Sequence, residues 1–221
     1  MPHALIIGAS RGIGLELARQ YLADGWEVSA TARTAAALTA LDAMGATPCA
    51  LDVTDAASVE AFGRFVSAAR YDVAMHVAGV MERGDASTAP SVTAFDAVMH
   101  ANVLGAMRII PIVAPRVAAA RGCFGFISSL LGSVANADSS VTWLYRVSKS
   151  ALNMAVRAAR QDYPGATLVL LSPGWVRTDM GGASAPVSVA DSVTGLRRVV
   201  ASLSPEDTGT FRNYEGRTLP W

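Results

Sequence analysis

The chain has 221 residues, 52% hydrophobic and 16% charged, with 18 basic and 18 acidic side chains. Such a composition supports a large buried core and excludes a disordered chain. A net charge of zero argues against nucleic acid or an anionic membrane surface as the main partner.

The length suits one α/β domain over residues 1–221. Cys49 and Cys123 lack metal-type spacing and read as small buried hydrophobes in a reducing compartment; no metal site is expected. The start "MPHALIIGAS" has no basic segment and only a short apolar run, so no secretory signal is predicted. No stretch is expected to supply the ~20 apolar residues of a membrane helix. The expectation is a cytoplasmic protein with no membrane partner.

Short apolar runs alternate with longer amphipathic ones. "HALII" (3–7) predicts a strand, and 12–24 a helix with Ile13, Leu17 and Tyr21 at helical spacing. A strand at 26–32 precedes a helix at 34–43 capped by Thr34. A strand at 47–53 precedes a helix at 55–69 capped by Thr54 or Asp55, and 71–77 is a fourth strand. A helical stretch at 91–120 contains Pro111 and Pro115, which should kink or break it. Then come a strand at 122–129, a helix at 144–160 and a strand at 166–172. A Gly/Ala/Ser/Pro-rich loop at 173–187 is mobile by composition, and residues 176–190 are the expected lid. A helix at 188–202 and a strand near 210–214 follow. Strands alternating with helices predict a parallel sheet covered on both faces.

"IIGASRGIG" sets Gly8, Gly12 and Gly14 between the first strand and the first helix. Glycines there allow a sharp turn and let backbone N–H groups approach a pyrophosphate at the helix start. The spacing G-x3-G-x-G differs from the common G-x-G-x-x-G dinucleotide fingerprint. After the second strand stands Arg33, with no acid beside it, and Arg11 lies in the glycine loop. An acid would hold the ribose hydroxyl of NAD, whereas guanidinium groups suit the 2′-phosphate of NADP(H). Asp52 ends the third strand, next to Val53. It can accept from an adenine amino group or cap the following helix.

Lys149 is the only lysine; the other 17 basic residues are arginines. Tyr145 stands four residues earlier, on the same helix face. A free tyrosine has a pKa near ~10, and a nearby ammonium lowers it. A phenol so tuned can protonate a carbonyl oxygen while hydride reaches the carbon. Ser128, Ser129 and Ser133 follow the fifth strand, where a hydroxyl could polarise that carbonyl. Asn102, within the 91–120 helix, could bind a water that links Lys149 to solvent.

"GASRGIG", "NVLG", "ISS", "YRVSK" and "SPGWVRTDMGG", in this order, resemble the short-chain dehydrogenase/reductase family. "ISSLLGSV", "YRVSKSALN" and the closing "LPW" are most similar to its C-factor and sniffer-like carbonyl reductase branch. The resemblance implies a Rossmann-type doubly wound sheet of about seven strands and a tetrad of Asn102, Ser129, Tyr145 and Lys149, with Ser133 as the alternative serine. It implies cofactor contacts from Gly8, Ser10, Arg11, Gly12, Ile13 and Gly14, from Ala78 and Gly79, from Asn102, Tyr145 and Lys149, with Lys149 on the nicotinamide ribose, and from Pro173, Gly174, Val176 and Thr178. The family's "NNAG" is "HVAG" here, with His76 and Val77 in place of both asparagines, and its threonine before the first glycine is Ile7.

The expected function is NADPH-dependent reduction of a small, apolar aldehyde or ketone, reversible as an alcohol dehydrogenase. The alternative is a cofactor-binding signalling or sensor protein. The resemblance also implies a homodimer or homotetramer through the 91–120 and 144–160 helices, although the carbonyl reductase branch includes monomers.

Overall fold

The computed structural model describes residues 1–221. Strands β1 (His3–Ile7), β2 (Glu27–Ala32), β3 (Thr47–Ala50), β4 (Val73–His76), β5 (Cys123–Ile127), β6 (Thr167–Ser172) and β7 (Phe211–Asn213) form one sheet in the order β3-β2-β1-β4-β5-β6-β7. Every pairing is parallel. This is the Rossmann-type doubly wound sheet that the resemblance implies. The strand order reverses between β1 and β4, where such sheets open a crevice at their carboxyl ends.

The helices are α1 (Gly12–Ala23), α2 (Ala35–Ala43), α3 (Ala56–Phe65), α4 (Val92–Met99), α5 (Gly105–Ala118), α6 (Trp143–Ala159) and α7 (Val189–Ser202). Successive strand residues feed opposite faces of the sheet. Leu5 and Ile7 of β1 join Phe124, Phe126, Ile109, Val113 and Leu152 in one core. Ala4 and Ile6 join Met75, Val169, Leu17, Tyr21 and Leu196 in the other. Each large aliphatic or aromatic side chain buried this way stabilises the fold by about 1.5–3 kcal/mol. Both cysteines are free, and burial pushes the Cys123 thiol up to about 12.

Most element ends shift by one to three residues, and α3 stops at Phe65 rather than residue 69. β3 ends at Ala50 rather than residue 53, because Asp52 Oδ1 accepts from the Thr54 backbone N–H at 2.9 Å and turns the chain off the sheet. The helix cap is then Asp55, whose carboxylate accepts from Ala57 N–H at 2.9 Å.

The expected proline break is absent. The chain stays helical from Val92 to Ala118, through a π-helical segment at His100–Leu104. Pro111 and Pro115 lie four apart on the exposed side. Their rings leave the carbonyls of Met107 and Pro111 without an N–H partner, and on that side water can take them. The unbroken helix is long and apolar enough, by length and composition, to cross a membrane. The expectation that no such stretch exists is therefore corrected. In this fold its buried stripe, including Ile109, Val113 and Val117, belongs to the core.

Candidate active site

The carboxyl ends of the central strands open on a cleft of about 1420 Å³. At its floor the chain turns from β1 into α1. Gly8 has φ +93°, and a Cβ there would meet the Ala78 backbone nitrogen at 2.8 Å. Ile7 removes a hydroxyl from this turn, but Thr31 of β2 replaces it: its Oγ1 accepts from Gly8 N–H at 3.0 Å. Gly8, Ser10, Arg11, Gly12 and Ile13 line the cleft, whereas Gly14 does not. A Cβ on Gly14 would lie 2.1 Å from the Gly8 carbonyl oxygen, so this glycine allows helix and strand to pack rather than touching a ligand.

Helices α2, α3, α4 and α7 are capped by Thr34, Asp55, Ser91 and Ser188. Helix α1 has no side-chain cap. Its first N–H groups and the positive end of its dipole thus stand at the cleft without a side-chain acceptor, an arrangement that fits a pyrophosphate. At the cleft edge near β2 and β3 lie Arg33, Asp52 and Val53. The Thr54 hydroxyl and backbone N–H, with help from Arg33, hold the Asp52 carboxyl below its usual range. Arg33 is exposed, with no hydrogen-bonding partner, while Arg11 pairs with Asp179 across the cleft at 2.9 Å.

At the other end, α6 presents Tyr145 and Lys149. Both are nearly sealed from water, at 7% and 4% exposure. Burial pushes the phenol up to about 12, and the nearby Ser129 hydroxyl pulls it the other way. The phenol is therefore a proton donor across the neutral range, not the lowered acid expected from a neighbouring ammonium. Burial also lowers Lys149, to about 8. Its Nζ donates to the Ile127 carbonyl at 2.8 Å and lies 5.6 Å from the Tyr145 ring centroid. Thr142 opens α6 at φ +60°, a left-handed conformation that a threonine adopts at a cost.

Ser129 lines the cleft; Ser128 also does, but its hydroxyl donates to Asn153 at 2.6 Å. Ser133 is buried away from the cleft and accepts from Asn136 Nδ2 at 2.8 Å. Asn102 sits in the π segment behind the wall, and Ala101 is the residue that reaches the cleft. Its side chain ties two elements together: Oδ1 accepts from Val80 N–H, and Nδ2 donates to Val80 O and Ser148 Oγ, all within 2.9 Å. A π segment leaves backbone carbonyls less well paired, and such segments gather at functional sites.

The short chain dehydrogenase family model matches residues 2–186. The chain belongs to the short-chain dehydrogenase family. It is 30% identical to 1-hydroxy-2-glutathionyl-2-methyl-3-butene dehydrogenase of Rhodococcus sp. (strain AD45), over the whole of both chains. It is 43% identical to C-signal of Myxococcus xanthus over 124 residues, 54% of this chain and 74% of that one. Among solved structures, the NADPH-bound carbonyl reductase from chicken fatty liver superposes with a TM-score of 0.89 at 28% identity, covering 100% of this chain and 99% of that one.

Within this dehydrogenase fold, Ala78 and Gly79 line the cleft beside β4, and Val77 and Ala78 N–H both bond the Ile7 carbonyl, at 2.8 and 3.1 Å. The sheet edge keeps its backbone bonds without the two asparagines. Pro173, Gly174, Val176 and Thr178 form the roof after β6. The expected mobile loop is tied to itself. Arg177 N–H bonds Val187 O at 2.9 Å, Trp175 Nε1 bonds Gly181 O at 2.8 Å, and the Arg177 guanidinium donates to Ala185 and Pro186 carbonyls. The C-terminal segment with Asn213, Tyr214, Arg217 and Leu219 also lines the cleft. Sequence reasoning missed it; the only local signal was the turn-forming "NYEGR".

His76 is 1% exposed, and burial followed by the Lys149 charge lowers it to about 3. The unfolded chain takes up a proton near pH 6.5 that the folded ring refuses until about pH 3. Stability is therefore expected to be full above 6.5 and to fall as pH drops from 6.5 towards 3. Urea midpoints at stepped pH values should show this loss, and His76→Asn should flatten it. Equal slopes for both proteins would refute the assignment.

Proposed function

We propose that this dehydrogenase is an NADPH-dependent reductase of small, apolar aldehydes and ketones, reversible as an alcohol dehydrogenase. One observation carries this: a protonated, buried phenol backed by the lone lysine faces the same cleft as an uncapped helix start. The N–H groups of Gly12 and Ile13 would hold the pyrophosphate, and Arg33 the 2′-phosphate. Asp52 and Val53 would receive the adenine. Ala78 and Gly79 would pass the ribose, and Pro173, Gly174, Val176 and Thr178 would flank the nicotinamide.

When bound, the dinucleotide supplies the hydride. Ser129 donates a hydrogen bond to the substrate carbonyl oxygen and orients it. Tyr145 gives that oxygen its phenolic proton. Lys149, charged below about pH 8, stabilises the phenolate that results, returns a proton to it and is recharged by a proton from solvent through the cleft. Asn102 acts indirectly, by tying the Val80 backbone to α6 through Ser148.

The apolar preference rests on Leu130, Leu131, Val141, Trp175 and Met180 around the reacting end. The arginines there each have a partner, although Arg146 Nη1 is buried without one. Arg177 bonds the loop carbonyls, Arg83 the Met180 carbonyl, Arg146 the Val141 carbonyl, and Arg217 pairs with Glu215.

NADPH oxidation with a panel of apolar and anionic carbonyl compounds tests the proposal. Turnover with apolar members supports it. Binding of NADPH with no turnover of any member would instead favour a signalling role, towards which the similarity to C-signal points. Arg33→Ala is expected to raise the KM for NADPH by about 10-fold or more, the worth of a charge-assisted contact. The KM for NADH should stay unchanged, and equal effects on both cofactors would remove Arg33 from the phosphate site.

A further inference from the structure

His76 is a buried titratable group that the proposed chemistry does not use. Its neighbours in the sheet are Ile7 on β1 and Phe126 on β5, and its ring stacks on Phe126 at 5.8 Å. Lys149 Nζ bonds the carbonyl of Ile127, the residue after Phe126, so lysine and imidazole meet at the same end of β5. Gly79, three residues beyond His76, leaves room around the ammonium: a Cβ there would lie 3.5 Å from Lys149 Nζ and 3.0 Å from Asn102 Oδ1.

The ring's Nε2 is fully buried without a partner. Buried polar atoms without a partner are rare, and internal waters commonly satisfy them. The ammonium has three hydrogens, and only one is engaged, by Ile127. No carboxylate balances it. Lys149 and Tyr145 face the pocket from α6, and Ile7, Phe126 and Asn102, from the other elements, carry no charge.

We propose that His76 is a positioning residue for Lys149: a single bound water accepts one hydrogen bond from the ammonium and donates one to the Nε2 lone pair, which holds the lysine charged and aimed at the cleft. The remaining hydrogen is left for the ligand. The catalytic consequence rests on the reductase reading; the electrostatic content does not.

The single lysine makes the test direct. Protein labelled with ¹³Cε-lysine gives one side-chain resonance, whose pH titration reports Lys149 alone. His76→Phe keeps the ring stack but removes the acceptor, and should lower the lysine midpoint by about 1 pH unit. His76→Gln keeps an acceptor and should titrate near wild type. The alkaline limb of kcat should move with the resonance, with KM for NADPH unchanged. A His76→Phe midpoint equal to wild type overturns the proposal. Should that variant fold poorly, ¹⁵N-histidine spectra of the wild type decide: an unprotonated, hydrogen-bonded Nε2 supports the proposal and a protonated one overturns it. If the wild type never oxidises NADPH, the reductase reading fails while the lysine titration still judges His76.

Discussion

Tyr145→Phe is expected to lower carbonyl-dependent NADPH oxidation by about 10²–10⁴-fold, the usual worth of a general acid. The phenyl ring fills the same space on α6, so folding and NADPH binding should survive. Only the phenolic proton is lost. With the phenol pushed up to about 12, wild-type Tyr145 carries that proton throughout the assay range. The alkaline limit of carbonyl reduction should therefore come from Lys149, with activity falling as pH passes about 8 and the ammonium loses its proton. Alcohol oxidation needs the phenolate and should gain from rising pH until the same lysine discharges. Steady-state rates in both directions, with fluorescence titration of NADPH, check these outcomes. Unchanged turnover in Tyr145→Phe would remove the residue from the chemistry.

Lys149→Arg preserves the charge and is nevertheless expected to cost at least about 10²-fold in turnover. The slot was built for an ammonium. It offers one direct protein acceptor, Ile127 O at 2.8 Å, and is nearly closed to bulk water, with Lys149 4% exposed. Gly132 packs so tightly on α6 that a Cβ there would meet the Lys149 Cβ at 2.9 Å. A guanidinium is larger, has five donors and cannot shed its proton, so it enters this slot charged and largely unpaired. Lys149→Arg should also melt at a lower temperature than wild type. Lys149→Met should keep the fold, having neither charge nor extra bulk, and should still lack turnover. Rates near wild type in Lys149→Arg would mean that a positive charge anywhere near the phenol suffices.

Much of the fold was readable from local pattern. The alternation of β and α segments, the glycines after the first strand and the caps at Thr34 and Asp55 all act within a few residues of themselves. The Tyr145–Lys149 pair needs only helical spacing to share a face. Local spacing could not decide between Ser129 and Ser133, because both follow β5 closely. The choice depends on which hydroxyl turns to the cleft and which is claimed by Asn136.

Asn102 shows the same division. Its helix was legible, but the register of a π turn is invisible in sequence, and that turn directs the side chain to Val80 and Ser148. Pro111 and Pro115 misled because a proline's effect depends on whether water can reach the carbonyls it strands. Their i, i+4 spacing sets both on the outer side of the helix. Arg11 reaches the cleft as its position in the glycine loop predicts, and there it pairs at the surface with Asp179 of the roof loop, 168 residues away, a contact no local pattern foretells.

The sequence by itself determined the parallel layered sheet, the cleft at its carboxyl edge and the phenol–lysine pair. These follow from periodicity and short spacings that any folded version of the chain must honour. Only the tertiary structure decided which of these hydroxyls turn to the cleft, how the arginines are partnered and that the terminal segment joins the lining, and that His76 is sealed near the Lys149 charge. Those assignments depend on side-chain direction and burial, which are set when segments far apart in sequence exclude water from between them.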